Sequence, residues 1–266
     1  CDVYYYDIAQ RVGIDAIAAM AHRLGLGQRH DLPMSAISEG LNPNRAWKRE
    51  RRGAEWVIGD TINASIGQGF VLTSPLQLAV MTARLATGRA VVPRLVRAVG
   101  ADGAAPEPAP PIGLREANLA AIRRGMFAVN NERSGTAYSS RTEGADLHLA
   151  GKTGTSQVRN ISAAERARGV LRNDQLPWNR RDHALYVCFA PLTAPRIAVS
   201  VVVEHGGGGS TAAAPIARDI ALFALHEGMP PLSAYPASQR NRMESFLRGL
   251  RLRDPDGGPG PARSRA

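Results

Sequence analysis

The 266-residue chain is long enough to bury a full hydrophobic core in one domain or two. Two widely separated cysteines, Cys1 and Cys188, exclude a disulfide framework, and no apolar run approaches the ~20 residues of a membrane-crossing helix. The formal charge of +10 raises nucleic acid, an anionic polymer or a membrane surface as partners. Aromatic content is only 5%, however, and the basic clusters over 45–52 and 159–181 have no interleaved aromatic platform, so solvated loop charge is the default reading.

The chain opens on Cys1-Asp2-Val3-Tyr4-Tyr5-Tyr6, without Met, and enters a helix at once. That start reads as an N-terminal truncation, so the lack of an anchor or targeting segment carries no weight. Helices are expected over 2–12 and 15–24, the second with Ile17, Met20, Ala21 and Leu24 on one stripe and Gly25 and Gly27 behind its end. Residues 27–60 are polar and read as irregular, and a glycine-rich turn region follows over 59–69. Ser74 as N-cap, Pro75 at the first helical position and Gln77 three residues past the cap form a capping box, which starts a helix running to about Leu85.

Ala90 to Val99 reads as a strand pair or extended segment, and 100–113, with four prolines and three glycines, as a loop. A helix is expected over 115–130 with Leu119, Ile122, Met126 and Val129 facing inward. Asp146 to Ala150 alternates in strand fashion, and Ser156 to Val158 reads on as strand. His183 to Ala190 and Arg196 to Glu204 alternate as well, the second with Ile197, Val199, Val201 and Val203 on one face. Pro191 to Pro195 is the turn between them, which makes the pair antiparallel. Gly206 to Gly209 turns the chain into a last helix over 213–227, with Ile216, Ile220 and Phe223 on one side. Beyond it, 228–266 is rich in Pro, Gly and Arg and is expected to be a disordered basic tail.

Lys152 is the most informative residue. Of 33 basic residues only Lys48 and Lys152 are Lys, so a Lys inside Gly151-Lys152-Thr153-Gly154-Thr155 points to a task for a compact ammonium that a guanidinium fork does not perform. A phosphate loop would require Gly where Asp146 stands, to open the nest of backbone N–H groups, and a helix where Ser156-Gln157-Val158 reads as strand. The run fits better as a Lys-Thr-Gly strand of the kind found in serine β-lactamases and penicillin-binding proteins.

Several further stretches stand in that family's order. They are Cys1-Asp2 before an aromatic-rich helix, Gly67-Gln68-Gly69 followed by Thr73-Ser74-Pro75-Leu76-Gln77, Gly135-Thr136-Ala137, and the Arg181-Asp182-His183 and Phe189-Ala190-Pro191 flanks of the next strand. Together with Gly151 to Thr155 they make residues 1–227 resemble the C-terminal part of a class B penicillin-binding protein, within that class most similar to the cell-elongation D,D-transpeptidases.

The resemblance implies an α+β fold: an antiparallel sheet flanked by helices, plus a helical subdomain, N-terminally truncated. It implies a serine enzyme that cross-links peptidoglycan stem peptides ending in D-Ala-D-Ala and is trapped by β-lactams. No cofactor or metal is implied. Lys152 would supply positive charge, the hydroxyls of Thr153 and Thr155 would hold the substrate carboxylate, and Gly154 would leave room for the substrate backbone. The Thr155 N–H would be half of an oxyanion hole, worth a few kcal/mol in the transition state. A glycan-polymerising membrane partner and a place on the periplasmic side of the bacterial inner membrane, with an anchor upstream, are implied too.

The nucleophile is not in these residues. Three positions before Lys48 and Lys152 stand Arg45 and Leu149, so the chain contains no Ser-x-x-Lys. Nor does any Ser have Asn or Asp two positions on. Asp2 fits the third position of a Ser-x-Asn-like motif if a Ser precedes Cys1, with a carboxylate where the family has an amide.

His183 and His205 have no partners at metal-ligand spacing and read as strand-end residues. Glu39, in Ser38-Glu39-Gly40-Leu41-Asn42, reads as a solvated loop carboxylate. Gly206 to Gly209 reads as a tight strand-to-helix turn rather than an anion nest. Two rival readings stay open: a β-lactamase or β-lactam sensor of the same fold, and a basic module that binds nucleic acid or nucleotide.

Overall fold

The computed structural model describes residues 2–96 and 107–250. Helices α1 (Asp2–Val12), α2 (Ile14–Arg23), α3 (Arg45–Arg52), α4 (Ile58–Ser65), α5 (Pro75–Thr87) and α6 (Glu116–Asn131) precede strand β1 (Ala150–Ser156). Helix α7 (Ala163–Arg168), strands β2 (His183–Ala190) and β3 (Ile197–Val203), and helices α8 (Ala214–Leu225) and α9 (Arg240–Gly249) follow. The strands form one antiparallel sheet in the order β1-β2-β3, so among the described residues β1 and β3 are its edges.

Alternation along β2 decides the layering, because successive side chains point to opposite faces. Ala184, Tyr186, Cys188 and Ala190 face α8, where Ala214, Ala217 and Ala221 let the helix lie close to the sheet. Phe189 points the other way and packs with Ala150, Ala86 of α5 and Met126 of α6. The result is three layers, with α8 on one face of the sheet and α5 and α6 on the other. Cys188 is sealed in the middle, and burial pushes its thiol up to about 12.

Helix α5 starts as its cap predicts: Ser74 Oγ accepts from the Gln77 N–H at 3.3 Å, and Gln77 Oε1 accepts from the Ser74 N–H at 3.1 Å. Gln77 does more than cap. Fully buried, it donates through Nε2 to the carbonyls of Gln28 and Glu39, fastening the loop between α2 and α3 to the head of α5. On α6, Leu119 and Met126 are buried as expected and Val129 packs against the sheet core, but Ile122 faces outward. Arg123 lies along α5 instead, its Nε donating to the Leu85 carbonyl at 3.0 Å.

The segment 27–60, expected to be irregular, contains α3 and the first turn of α4. Six of the eight residues of α3 are charged, so it has no apolar stripe. It is held by its ends and by one lysine. Asn44 Oδ1 caps the Trp47 N–H at 2.8 Å and Gly53 closes the helix with φ 60°. Lys48 is buried against Asp60, 5.9 Å from the Trp56 ring centre and 6.0 Å from that of Phe70. Helix α4 runs through Gly59, within the stretch read as a turn, because the Asp60 carboxylate caps the Val57 N–H at 2.9 Å.

Burial pushes the Asp60 carboxyl up, but its bonds to Lys48 and to the Val57 N–H outweigh this and hold it below the usual carboxylate range. The pair therefore stabilises the fold above the ordinary carboxylate pKa, and that contribution is lost as pH falls through the depressed value. Lys48→Met is expected to cost about 3 kcal/mol, since it leaves a largely buried carboxylate without its cation. Urea unfolding at pH 7 and pH 3 checks this: the difference between wild type and variant should shrink at the lower pH.

Three further expectations are corrected. Asp146 to Leu149 is not strand; Ala145–Leu147 is a single 3-10 turn, because the Thr142 hydroxyl takes the Leu147 carbonyl at 2.6 Å and Asn131 Nδ2 takes that of Leu149 at 2.9 Å. Strand β1 ends at Ser156, so Gln157 and Val158 leave the sheet. Of the strand pair or extended segment expected over 90–99, the paired alternative is not formed beyond one bridge, between Arg89 and Pro111, and 97–99 lie outside the described residues.

The expected disorder after residue 228 does not hold for the described part. Tyr235 is fully buried and packs with Leu222, Ala234 and Met243, which docks α9 on α8. Arg218 completes that joint, its guanidinium 4.8 Å from the Tyr235 ring centre and its Nη1 donating to Gln239 Oε1 at 2.7 Å. Residues 251–266, like Cys1 and 97–106, lie outside the described residues.

Candidate active site

The site is built on the free edge of β1. Gly151 is required there because a side chain would collide with the Tyr186 hydroxyl opposite. That hydroxyl donates to Asn130 Oδ1 at 2.6 Å, and both residues are fully buried. Gly209 is required for the same reason on the neighbouring turn: its Cα rests on the Leu185 and Gly154 carbonyls, where a Cβ would overlap both oxygens. The glycine run before α8 is thus a close backbone approach to β1 and β2.

The register sets Lys152 opposite Val187, Thr153 opposite Tyr186 and Thr155 opposite Ala184. Lys152 is exposed, and its Nζ donates to the Thr153 carbonyl at 2.7 Å. Desolvation by the surrounding protein lowers the pKa of its ammonium, and the Asp2 carboxylate acts in the opposite sense. The beginning of α1 is therefore within electrostatic reach of β1, which lies far along the chain from it.

Two loops complete the edge. Gly135-Thr136-Ala137 folds back on the end of α6, where a side chain at Gly135 would strike the Ala128 and Val129 carbonyls. This brings Thr136 Oγ1 to 3.0 Å from Thr153 Oγ1. Gly67 and Gly69, with φ 74° and 72°, present Gln68 between them, and its Nε2 donates to the Thr155 carbonyl at 3.3 Å.

The expected site residues Lys152, Thr153, Gly154 and Thr155 thus share one strand, with the Asp2 carboxylate within electrostatic reach of Lys152. Thr136 and Gln68 stood in noted motifs, but nothing in the sequence ties them to Thr153 and Thr155. The glycines that flank Gln68 were the available signal. A phosphate cradle is not formed, because Lys152 lies in an extended strand rather than at a helix start.

The remaining polar candidates lie elsewhere. His205 donates its backbone N–H to His183 Nδ1 at 2.9 Å and packs edge-on against Trp178, so the two histidines clasp the ends of β2 and β3. Glu39 is exposed on its loop. Among the described residues no group of three or more His, Cys, Asp and Glu side chains is placed to hold a metal ion, and no helix is long and apolar enough to cross a membrane.

Comparison with known proteins gives a consistent family. Residues 1–222 match the family model of the penicillin binding protein transpeptidase domain. The peptidoglycan D,D-transpeptidase MrdA of Haemophilus influenzae is 33% identical over 242 residues, which cover 88% of this chain and 36% of that protein. Among solved structures, Pseudomonas aeruginosa PBP2 in complex with WCK 5153 superposes with a TM-score of 0.68 at 36% identity, covering 88% of this chain and 50% of the other. Helicobacter pylori PBP2 in its complex with MreC gives 0.69 at 30% identity, covering 85% and 38%. The chain spans about a third of the length of the curated relatives it matches.

Proposed function

Because the chain belongs to the penicillin-binding protein transpeptidase family, of the PBP2/MrdA-like class B kind, we propose that it supplies the substrate-holding half of a peptidoglycan D,D-transpeptidase that serves cell-wall elongation. One observation carries the reading: the ammonium of Lys152 and the hydroxyls of Thr153 and Thr155 lie on one strand that is a sheet edge among the described residues, within electrostatic reach of Asp2.

A stem peptide ending in D-Ala-D-Ala lies along β1. Lys152 supplies positive charge beside the reacting serine, with its proton affinity lowered by desolvation and moderated by Asp2. Thr153 and Thr155 donate their hydroxyls to the terminal carboxylate. Gly154, without a side chain, leaves space for the peptide backbone. The Thr155 N–H stabilises the oxyanion that develops as the carbonyl is attacked. The serine belongs to a Ser-x-x-Lys segment, which these 266 residues do not contain. It is acylated with loss of D-Ala and passes the acyl group to an acceptor amine.

The same geometry accepts a β-lactam, whose ring carbonyl and carboxylate imitate those of the donor. Residues 1–227 are proposed as the C-terminal part of the transpeptidase domain. We place the working enzyme on the periplasmic face of the inner membrane. A relative from Helicobacter pylori forms a complex with MreC, and a partner that polymerises glycan at the membrane fits the proposed role.

Labelled penicillin tests the reading. The chain alone is expected to show no covalent adduct by intact mass. Joined to a Ser-x-x-Lys-bearing segment from a relative, it is expected to label on that serine. An adduct on the chain alone, or an unlabelled joined protein that is folded, would refute the assignment of roles. Saturable binding of a fluorescent nucleotide to the chain would favour the basic-module reading instead.

A further inference from the structure

Past the Thr155 end of β1 lies an open cleft of about 350 Å3 whose walls include Asn63, Gln68, Gln157, Arg159 and Asn160. Asn63 stands on α4, Gln68 on the turn after it, and the other three on the chain just beyond β1. Four of these five side chains are primary amides, each with two N–H donors and a carbonyl acceptor. The fifth is a cation already engaged. Arg159 gives both of its terminal nitrogens to the Glu165 carboxylate at 2.7 Å each, and the pair is mostly shielded from solvent, at 11% and 23% side-chain exposure. That bidentate bond is the main reason the Glu165 carboxyl sits below its ordinary range.

Among its lining residues, therefore, the cleft offers many amide groups and no unpaired cation. It is also continuous with the strand edge, because Gln68 lines the cleft and holds the Thr155 carbonyl. A peptide lying along β1 would run its next residue into this space.

Resting on the function proposed above, we propose that the cleft is a subsite for the substrate residue preceding the D-Ala-D-Ala terminus, and that it selects a side-chain carboxyl carried as a primary amide over the free carboxylate. An amide meets donors and acceptors in matched supply. A carboxylate would give up water for a place beside the Glu165 charge, with no free cation to offset the loss.

The test uses three ligands titrated into the 266-residue chain and followed by NMR chemical shifts. Two are peptides ending in D-Ala-D-Ala that differ only in whether the third residue from the end carries a free or an amidated side-chain carboxyl. The third is N-acetyl-D-Ala-D-Ala. The amidated peptide is expected to bind about tenfold more tightly than the acid, the scale of one unpaired charge in a partly wet site. Gln157→Arg supplies a free cation from an exposed position and is expected to abolish or reverse that preference, with Asn160→Arg as the second variant. Acetyl-D-Ala-D-Ala is expected to bind wild type and both variants alike. Equal binding of the two peptides, tighter binding of the acid, or a preference unmoved by both substitutions overturns the subsite while the dipeptide still binds. Failure of all three ligands overturns the parent reading with it.

Discussion

Arg in place of Lys152 is expected to slow penicillin acylation at least about a hundredfold once the chain is joined to a Ser-x-x-Lys-bearing segment. The charge is kept, so a site that needs only a positive field would tolerate the change. Two features argue that it does not. The ammonium is a compact group that reaches the Thr153 carbonyl from a neighbouring position, a geometry that a longer, planar guanidinium cannot copy. Desolvation also lowers the proton affinity of Lys152 below that of a free lysine, whereas Arg stays protonated throughout. Stopped-flow acylation with a fluorescent penicillin checks the prediction, and a rate within tenfold of the parent would remove Lys152 from the chemistry. Thermal unfolding of the same variant should be nearly unchanged, because the side chain is exposed.

Gly209→Ala is expected to have the opposite profile, losing structure first. The added methyl has nowhere to go: it meets the carbonyl oxygens of Leu185 and Gly154, both belonging to a paired backbone that cannot rotate aside as a side chain would. The cost is expected to be about 3 kcal/mol, at the upper end for overpacking. It should appear as a lower urea midpoint, together with shifted amide resonances for Gly154 and Thr155 in whatever fraction remains folded. A variant as stable as the parent would mean that the turn before α8 moves freely relative to β1. Gly208→Ala is a useful contrast, since its Cβ would meet only the Thr211 hydroxyl, at 3.0 Å, and is expected to cost far less.

What could be read without coordinates is what depends on near neighbours in the chain. The Ser74 and Gln77 cap is a local event, so α5 began where expected. Alternation along β2 and β3 is a local pattern too, and the contiguous run from Gly151 to Thr155 holds most of the candidate site. The failures share a cause. Helix α3 has no pattern of its own, and its burial depends on Asp60, Trp56 and Phe70, which come later in the chain. Helix α9 depends on Arg218 and Leu222 of α8 to bury Tyr235 and Met243. Ile122 was expected inside because apolar spacing cannot show that Arg123 would take the place beside α5. Gln68 meets Thr155 across 87 positions, a contact no motif announces.

Cys188 gives the sheet a built-in clock. Its sulfur lies at the centre of β2 with no solvent exposure, and both neighbouring strands must part from it, or α8 must lift, before any reagent arrives. A thiol-specific dye would therefore modify Cys188 only through openings of the central layer, at the rate of an open thiol scaled by the fraction of time the layer is open. Gly209→Ala, which presses on β1 and β2, could be compared with Gly208→Ala on this one atom, provided Cys1 is first replaced by Ser. The residue that takes no part in the proposed chemistry is the one that times the stability of the platform on which it rests.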